Sequence, residues 1–480
     1  SRTRWLALYT LTLASLMIVL DATIVNVALP SIRQDLNFSQ TSLAWVVNAY
    51  LLTYGGFLLL GGRLGDLFGH RRLFLSGITL FTAASLVCGL STTQGMLIAA
   101  RSVQGLGGAV ASAVSLSLMM NLFTEPADRA KAMGIFGFVA AGGGSLGVLL
   151  GGVLTDLINW HWIFLVNFPI GVLVVVLALR LLPTTGGSAA GGRLDVGGAV
   201  TVTGALMLAV YAIVNGNQAG WLSGQTLGLL GAAVALLAVF LWIETHVASP
   251  LMPLGLFRLR NVATANVVGV LWAAAMFAWF FLVALYLQLV LGYSPLQVGL
   301  SFLPANLIMG AFSLGLSAKL VMRYGFRLPL GTGLLLAAAG LALFLRAPVD
   351  GSFLRDVLPS MILLGFGAGT AFNPVLLAAM SDVEPSESGL ASGIVNTSFM
   401  MGGALGLAVL ASLASSRTSS LRASGDGPLA ALVGGYHAAF LVGALFAVTA
   451  AVLGATLLRT RHQAYGSETA IGAPAVAEGD

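Results

Sequence analysis

Gly62-Arg63-Leu64-Gly65-Asp66-Leu67-Phe68-Gly69-His70-Arg71-Arg72 lies between two long apolar runs. Its glycines let the backbone turn sharply and let helix ends approach closely. Asp66 can sit at a neighbouring helix end or pair with an arginine. Arg71 and Arg72 hold such a loop on the cytoplasmic side of a membrane. Composition supports a membrane setting. The 480 residues are 58% hydrophobic and 8% charged, with a mean hydropathy of +0.96, whereas soluble domains carry roughly 25% charged residues. So few polar side chains cannot cover a water-facing surface, so lipid is the solvent and backbone groups must pair within helices. The net charge of +5 comes from basic loops between apolar runs rather than from one solvated face, which argues against a nucleic-acid partner. Cys88 is the single cysteine, so no intramolecular disulfide can form. The five histidines are scattered without metal-ligand spacing, so no metal site is expected.

A membrane helix needs roughly 20 apolar residues. About fourteen runs qualify, near 5–30, 41–61, 73–91, 94–121, 131–156, 161–182, 196–215, 224–246, 261–291, 295–321, 328–346, 355–380, 387–413 and 435–458. The first is too long for a cleaved signal, holds Asp21 and ends at Pro30 without a small-x-small site. With the N-terminus inside, 16 Lys and Arg fall on cytoplasmic segments and five outside, with Arg101 left within a helix. That bias predicts that both termini are cytoplasmic. Runs one to six and nine to fourteen form similar blocks, with runs seven and eight as an inserted hairpin. The expected units are a six-helix bundle over 1–183, a linker and hairpin over 184–250, a second bundle over 251–460 and a disordered cytoplasmic tail over 461–480. Aligning Gly325 with Gly69 and Arg327 with Arg71 places Met322 opposite Asp66, so the repeat has lost the acid.

The opening stretch fits G-x-L-x-D-x-x-G-x-[RK]-[RK] and resembles the signature loop of the major facilitator superfamily. Leu97-x-x-x-Arg101-x-x-Gln104-Gly105-x-Gly107 resembles that family's fourth-helix motif. Gly134, Gly143, Gly147, Gly151 and Gly152 resemble its fifth-helix antiporter motif, with Val148 where the family usually has Pro. Leu20-Asp21-x-Thr23-x-x-Asn26-x-x-x-Pro30 and Trp160-His161-Trp162 through Asn167 and Gly171 are similar to the fourteen-helix drug:proton antiporters, where Arg is common at the position of His161. The resemblance implies an all-α membrane protein of two six-helix bundles plus a two-helix insertion. It implies a monomeric, multi-pass transporter of a bacterial inner membrane. Such a protein is not an enzyme and needs no cofactor beyond a proton gradient. Its partners would be the bilayer, protons and a small lipophilic substrate.

Two enzyme fingerprints also occur. Gly142–Gly147 fits G-x-G-x-x-G, and Gly143-Gly144-Ser145-Leu146-Gly147 fits G-x-S-x-G. Neither follows a strand, and small residues inside an apolar helix serve close helix packing. The aromatic stretch Trp272–Phe281 reads as lipid-facing or packing.

Asp21 is the acid placed firmly at hydrocarbon depth, where a charge is costly and usually functional. Counted from Pro30 it lies roughly 13 Å from the outer end, and Arg101, counted from Gln94, about 10 Å. Similar depths make the two a candidate pair, and the resemblance adds proton coupling. Asp66 and its neighbours Gly62, Gly65, Gly69, Arg71 and Arg72 would latch the inner gate. Asn26, Asn48, Tyr50, Tyr54, Gln104, Gln288, Asn373 and Asn396 are candidate cavity residues for a lipophilic, often cationic molecule. Export of a lipid-like metabolite by the same fold is the alternative. A membrane-embedded enzyme is disfavoured, since no cluster of His, Asp or Ser occurs at one depth.

Overall fold

A computed structural model describes residues 2–183, 194–312, 316–384 and 387–459, and among them the chain is helical without a strand. The expected linker at 184–192 and the tail at 461–480 lie outside the described residues. The first block contains α1 (Arg2–Leu36), α2 (Trp45–Phe68), α3 (His70–Gly89), α4 (Gln94–Leu122), α5 (Pro126–Leu157), α6 (Trp162–Leu165) and α7 (Asn167–Leu181). α8 (Val196–Ala219) and α9 (Gly224–His246) form the hairpin. The second block contains α10 (Arg260–Leu285), α11 (Pro295–Ala311), α12 (Ser317–Tyr324), α13 (Arg327–Leu343), α14 (Leu358–Met380), α15 (Ser388–Ala423) and α16 (Pro428–Leu457). Among the described residues, 12 helices are long and apolar enough to cross a membrane, with α6 and α7 together making one pass. α5 and α11 take the other two expected positions.

Several boundaries move. α1 runs through Pro30 to Leu36. One proline removes a single backbone donor, and neighbouring turns carry the helix past it. Asp21 is therefore 15 residues from the end of its helix, about 22 Å at the helical rise, so the depth counted from Pro30 was too shallow. The sixth run breaks at Val166, between α6 and α7. The thirteenth extends to Ala423, which puts Arg417 and Arg422 on α15 rather than on an outer loop. The opening stretch, read as a loop, is almost wholly helical. Its one non-helical residue is Gly69, whose φ of 93° only glycine adopts readily.

Helix crossings repeat in both blocks. α3 packs on α4 and α13 on α14. A Cβ at Gly77 would lie 2.9 Å from Gly107 O, and one at Gly333 would lie 2.9 Å from Gly367 O, so each crossing requires a hydrogen in place of a methyl. After Gly69, Arg71 Nη2 donates to Leu179 O at 2.6 Å, near the end of α7. After Gly325, with φ of 71°, Arg327 Nε donates to Ala455 O at 2.9 Å, near the end of α16.

The blocks meet where α5 packs on α11 and α2 on α15. α8 packs on α2, α15 and α9, while α9 packs on α8. The hairpin thus leans on the seam from outside. Tyr211 and Trp242 are 43% and 62% exposed, so neither lines the interior. At one end of the hairpin Asp195 caps α8 by accepting from Gly198 N at 2.7 Å, and Glu244 Oε2 accepts from Met252 N at 2.9 Å. Both acids are buried.

Candidate functional site

Asp21 and Arg101 meet in the middle of the first block, both fully buried. Arg101 Nη1 donates to Asp21 Oδ2 at 2.5 Å and to Gln104 Oε1 at 2.8 Å, and its Nε donates to Val46 O at 2.9 Å. Gln104 sits three residues on, the helical spacing that shares a face with Arg101. Its Nε2 returns a hydrogen bond to Asp21 Oδ1 at 2.8 Å. Asn167, at the start of α7, donates to the same oxygen at 3.0 Å and to Ser85 Oγ at 3.1 Å, while Ser85 donates to Phe164 O at 2.8 Å. The Arg101 guanidinium lies 4.4 Å from the Tyr50 ring centroid and 5.5 Å from that of Phe164. Side chains of α4 and α7 thus converge on one carboxyl of α1, and residues of α2, α3 and α6 hold those side chains in place. A buried ion pair persists when its remaining hydrogen-bonding capacity is filled, and here both carboxyl oxygens are engaged.

α5 lies against this stretch of α1. A Cβ at Gly147 would come 2.9 Å from Leu20 O, one at Gly151 2.5 Å from Ile24 O, and one at Gly143 2.9 Å from Val19 Cγ1. Gly152 faces the other way, where a Cβ would lie 2.6 Å from Pro295 O of α11. The same helix therefore touches the acid-bearing segment and the second block. It runs without a break past Val148. The surroundings of Gly134 lie outside the described residues.

Around the opening stretch, Asp66 pairs with His70 rather than with an arginine, Oδ1 to Nε2 at 3.2 Å. The spacing is i,i+4 across the turn at Gly69, which brings the imidazole within reach of the carboxyl. Arg71 is engaged with α7, and Arg72 is exposed. Gly65 is packed, since a Cβ there would lie 2.5 Å from Val114 Cγ1, whereas Gly62 borders open space.

The expected cavity residues scatter. Tyr50 and Gln104 belong to the acid site. Tyr54 stacks on Tyr50 with centroids 5.8 Å apart. Asn26 bonds its own helix through Thr23 O at 3.2 Å, and Asn48 is buried with neither side-chain atom partnered among the described residues. Gln288 Nε2 donates to Val27 O at 2.6 Å, tying the two blocks together. Asn373 is half-buried on α14. Asn396 lines a small cavity of about 20 Å³ between α10, α14 and α15, with Trp272, Phe372, Val375, Val395 and Phe399. Of the two readings of the aromatic stretch, lipid-facing or packing, Trp272 takes the second. It is 1% exposed and forms a cavity wall, because its face of α10 turns toward the other helices of the block.

The family model of the Major Facilitator Superfamily matches residues 11–407. The chain belongs to the major facilitator superfamily. It is 39% identical over 469 residues to the puromycin resistance protein pur8 of Streptomyces alboniger, covering 96% of this chain and 92% of that one. It is 39% identical over 443 residues to the cephamycin export protein CmcT of Amycolatopsis lactamdurans, covering 92% and 90%. A bacterial homolog of the human lysosomal transporter Spinster, solved inward-facing and unoccupied, shares the fold with a TM-score of 0.64 at 17% identity, covering 94% of this chain and 96% of that one. This superfamily member is a multi-span membrane transporter and not an enzyme. In it, Ser85, Phe164 and Asn167 join the acid site without having been singled out for it. Asn167 stood within a recognisable motif, but only folding shows that the sixth pass breaks beside Asp21 and aims an amide at it.

Proposed function

We propose that this transporter exports small lipophilic molecules in exchange for protons, by alternating access of its two blocks. Relatives named for puromycin resistance and cephamycin export support a drug-efflux reading. The observation that carries proton coupling is the fully buried Asp21–Arg101 pair with Gln104 and Asn167 around it. A proton arriving at Asp21 removes the charge that holds Arg101. The guanidinium keeps Gln104 Oε1, Val46 O and the Tyr50 ring. Protonation therefore loosens α1 from α4 without stranding the cation. α5, seated on Leu20 and Ile24 and reaching Pro295 of α11, lies where it can pass that shift to the block interface. Both termini are cytoplasmic in this reading, protons enter from the outer side, and the chain works as a monomer in a bacterial cell membrane.

The test is efflux from proteoliposomes under an imposed pH gradient. The intact chain should move a fluorescent substrate only with the gradient, and Asp21→Asn should lower the gradient-driven rate by at least tenfold. Equal rates in the two proteins, at equal amounts of folded protein, would remove Asp21 from coupling.

A further inference from the structure

We propose that His161 is a positioning residue for the acid site: a proton on its ring pins α6, and α6 sets how firmly Asn167 holds Asp21. The inference rests on the transport reading above for the side from which protons arrive, and it adds a second protonation site to that reading.

Both ring nitrogens of His161 face acceptors. Nδ1 lies 2.8 Å from Gly89 O at the end of α3, and Nε2 lies 3.6 Å from Asp35 Oδ2 near the end of α1. A neutral imidazole has one N–H and one lone pair, so it can serve only one of the two, whereas the imidazolium donates to both. Asp35 is held in place for this. Trp160 Nε1 donates to the same Oδ2 at 2.9 Å, and Gln94 ties down the end of α1 by donating to Leu36 O at 3.0 Å and to Asn37 O at 2.8 Å. The Trp160 ring stacks on the imidazole with centroids 3.8 Å apart, a contact that a cation strengthens. The helices packed against α6 are α1, α3, α5 and α7. At this outer end α1 offers Arg33 and Asp35 and α5 offers Asp156, while Arg71 and Arg72 of α3 and Arg180 of α7 lie at the far ends of their helices. Among the described residues, Asp35 is the charged side chain within ion-pairing distance of His161.

The route inward is short. His161 immediately precedes α6, and its carbonyl accepts from Phe164 N at 3.2 Å and Leu165 N at 3.1 Å. α6 sits hard on α3, since a Cβ at Gly89 would lie 3.1 Å from His161 O and 2.5 Å from Leu165 Cδ2. One turn on, Phe164 faces the Arg101 guanidinium, and after the break at Val166 Asn167 donates to Asp21 Oδ1. Loss of the His161 proton releases Asp35, leaves the head of α6 with one of its two ring ties and slackens Asn167. A donor on a carboxylate favours its charged form, so protons on His161 and Asp21 oppose each other. Two opposed sites spread proton uptake over a wider range of outside pH than one site does.

The test is a pH titration of tryptophan emission from the purified full-length protein in lipid nanodiscs. An imidazolium stacked on an indole quenches its emission. Trp242 stacks on His246 with centroids 4.6 Å apart, so the titration is made in Trp242→Phe, which leaves Trp160 as the tryptophan stacked on a histidine among the described residues. Emission should fall as the pH drops from about 8 to 5, and His161→Gln should remove that step. Asp35→Asn should move its midpoint to lower pH. Asp21→Asn, which mimics the protonated acid, should move it the same way by about half a unit, a roughly threefold loss of proton affinity. In Asn167→Ala the same Asp21 substitution should move it by less than half as much. A side chain that only fills space would give no such shifts. A step that survives His161→Gln unchanged, equal midpoints with and without Asp21→Asn, or an undiminished shift in Asn167→Ala would each overturn the proposal. The transport reading fails separately. Midpoints shifted as described without gradient-driven efflux would reject antiport and leave His161 in its positioning role.

Discussion

Asp21 accepts from Arg101, Gln104 and Asn167, while Arg101 has three acceptors and an aromatic face. The two charges therefore tolerate loss of their partner unequally. A carboxyl left alone can neutralise itself by binding a proton, and a guanidinium cannot give one up. Substituting the arginine, however, strands an acid and empties a large volume between Tyr50 and Phe164. Breaking a buried pair costs roughly 3–5 kcal/mol in soluble proteins. Arg101→Ala should show a loss of that order in thermal unfolding in detergent, and Asp21→Asn a smaller one, because its amide still accepts from Arg101. The double variant should be more stable than the sum of the two losses predicts, yet inactive in efflux. Additive losses would mean that the two side chains are energetically independent despite their contact.

Among elements, α5 and the hairpin carry the sharpest constraints. A Cβ on Gly151 would press on the backbone oxygen Ile24 O at 2.5 Å, whereas one on Gly144 meets nothing nearer than Thr23 Cγ2 at 3.8 Å. Gly151→Ala should therefore cut the transport rate severalfold and lower the unfolding midpoint, while Gly144→Ala leaves both near the starting values. Equal effects of the two would refute the account of α5 as a helix seated on α1. In the hairpin, the Gly198 contacts put Asp195 Oδ2 and Glu244 Oε1 in one small space, and neither oxygen has a partner among the described residues. Two buried carboxyl groups facing each other repel. Glu244→Gln keeps an acceptor for Met252 N and removes one charge, so it should raise the unfolding temperature. Glu244→Ala frees that N–H and should lower it.

At the scale of the whole molecule, the two blocks repeat an anchor. Arg71 reaches the end of α7 and Arg327 the end of α16, each after a glycine at positive φ. Because the anchors are exposed, each is worth about 1 kcal/mol or less. Arg71→Ala and Arg327→Ala should each give a small loss in thermal unfolding. The losses should add in the double variant, since the anchors lie in different blocks. Strong non-additivity would mean that the blocks unfold through a shared contact at that face. The hairpin stands outside this repeat, leaning on α2 and α15.

The count of passes and their division into two blocks could be read from the chain, because hydrocarbon thickness sets a length that any apolar run reports. The two costly charges were equally visible: Asp21 and Arg101 interrupt apolar sequence, and a charge in lipid is rare enough to stand out. The remainder of the acid site was hidden. Ser85 and Asn167 are ordinary polar residues on separate helices, and nothing local states that a break at Val166 aims an amide at Asp21. Asp66 read as a residue for a neighbouring helix end or for an arginine, and the turn at Gly69 brings His70 to it instead. Trp272 shows the same limit from the apolar side. In a chain 58% hydrophobic, burial and lipid exposure select the same residues. Which face of α10 becomes a cavity wall is therefore set by how three helices pack, not by the composition of any one of them.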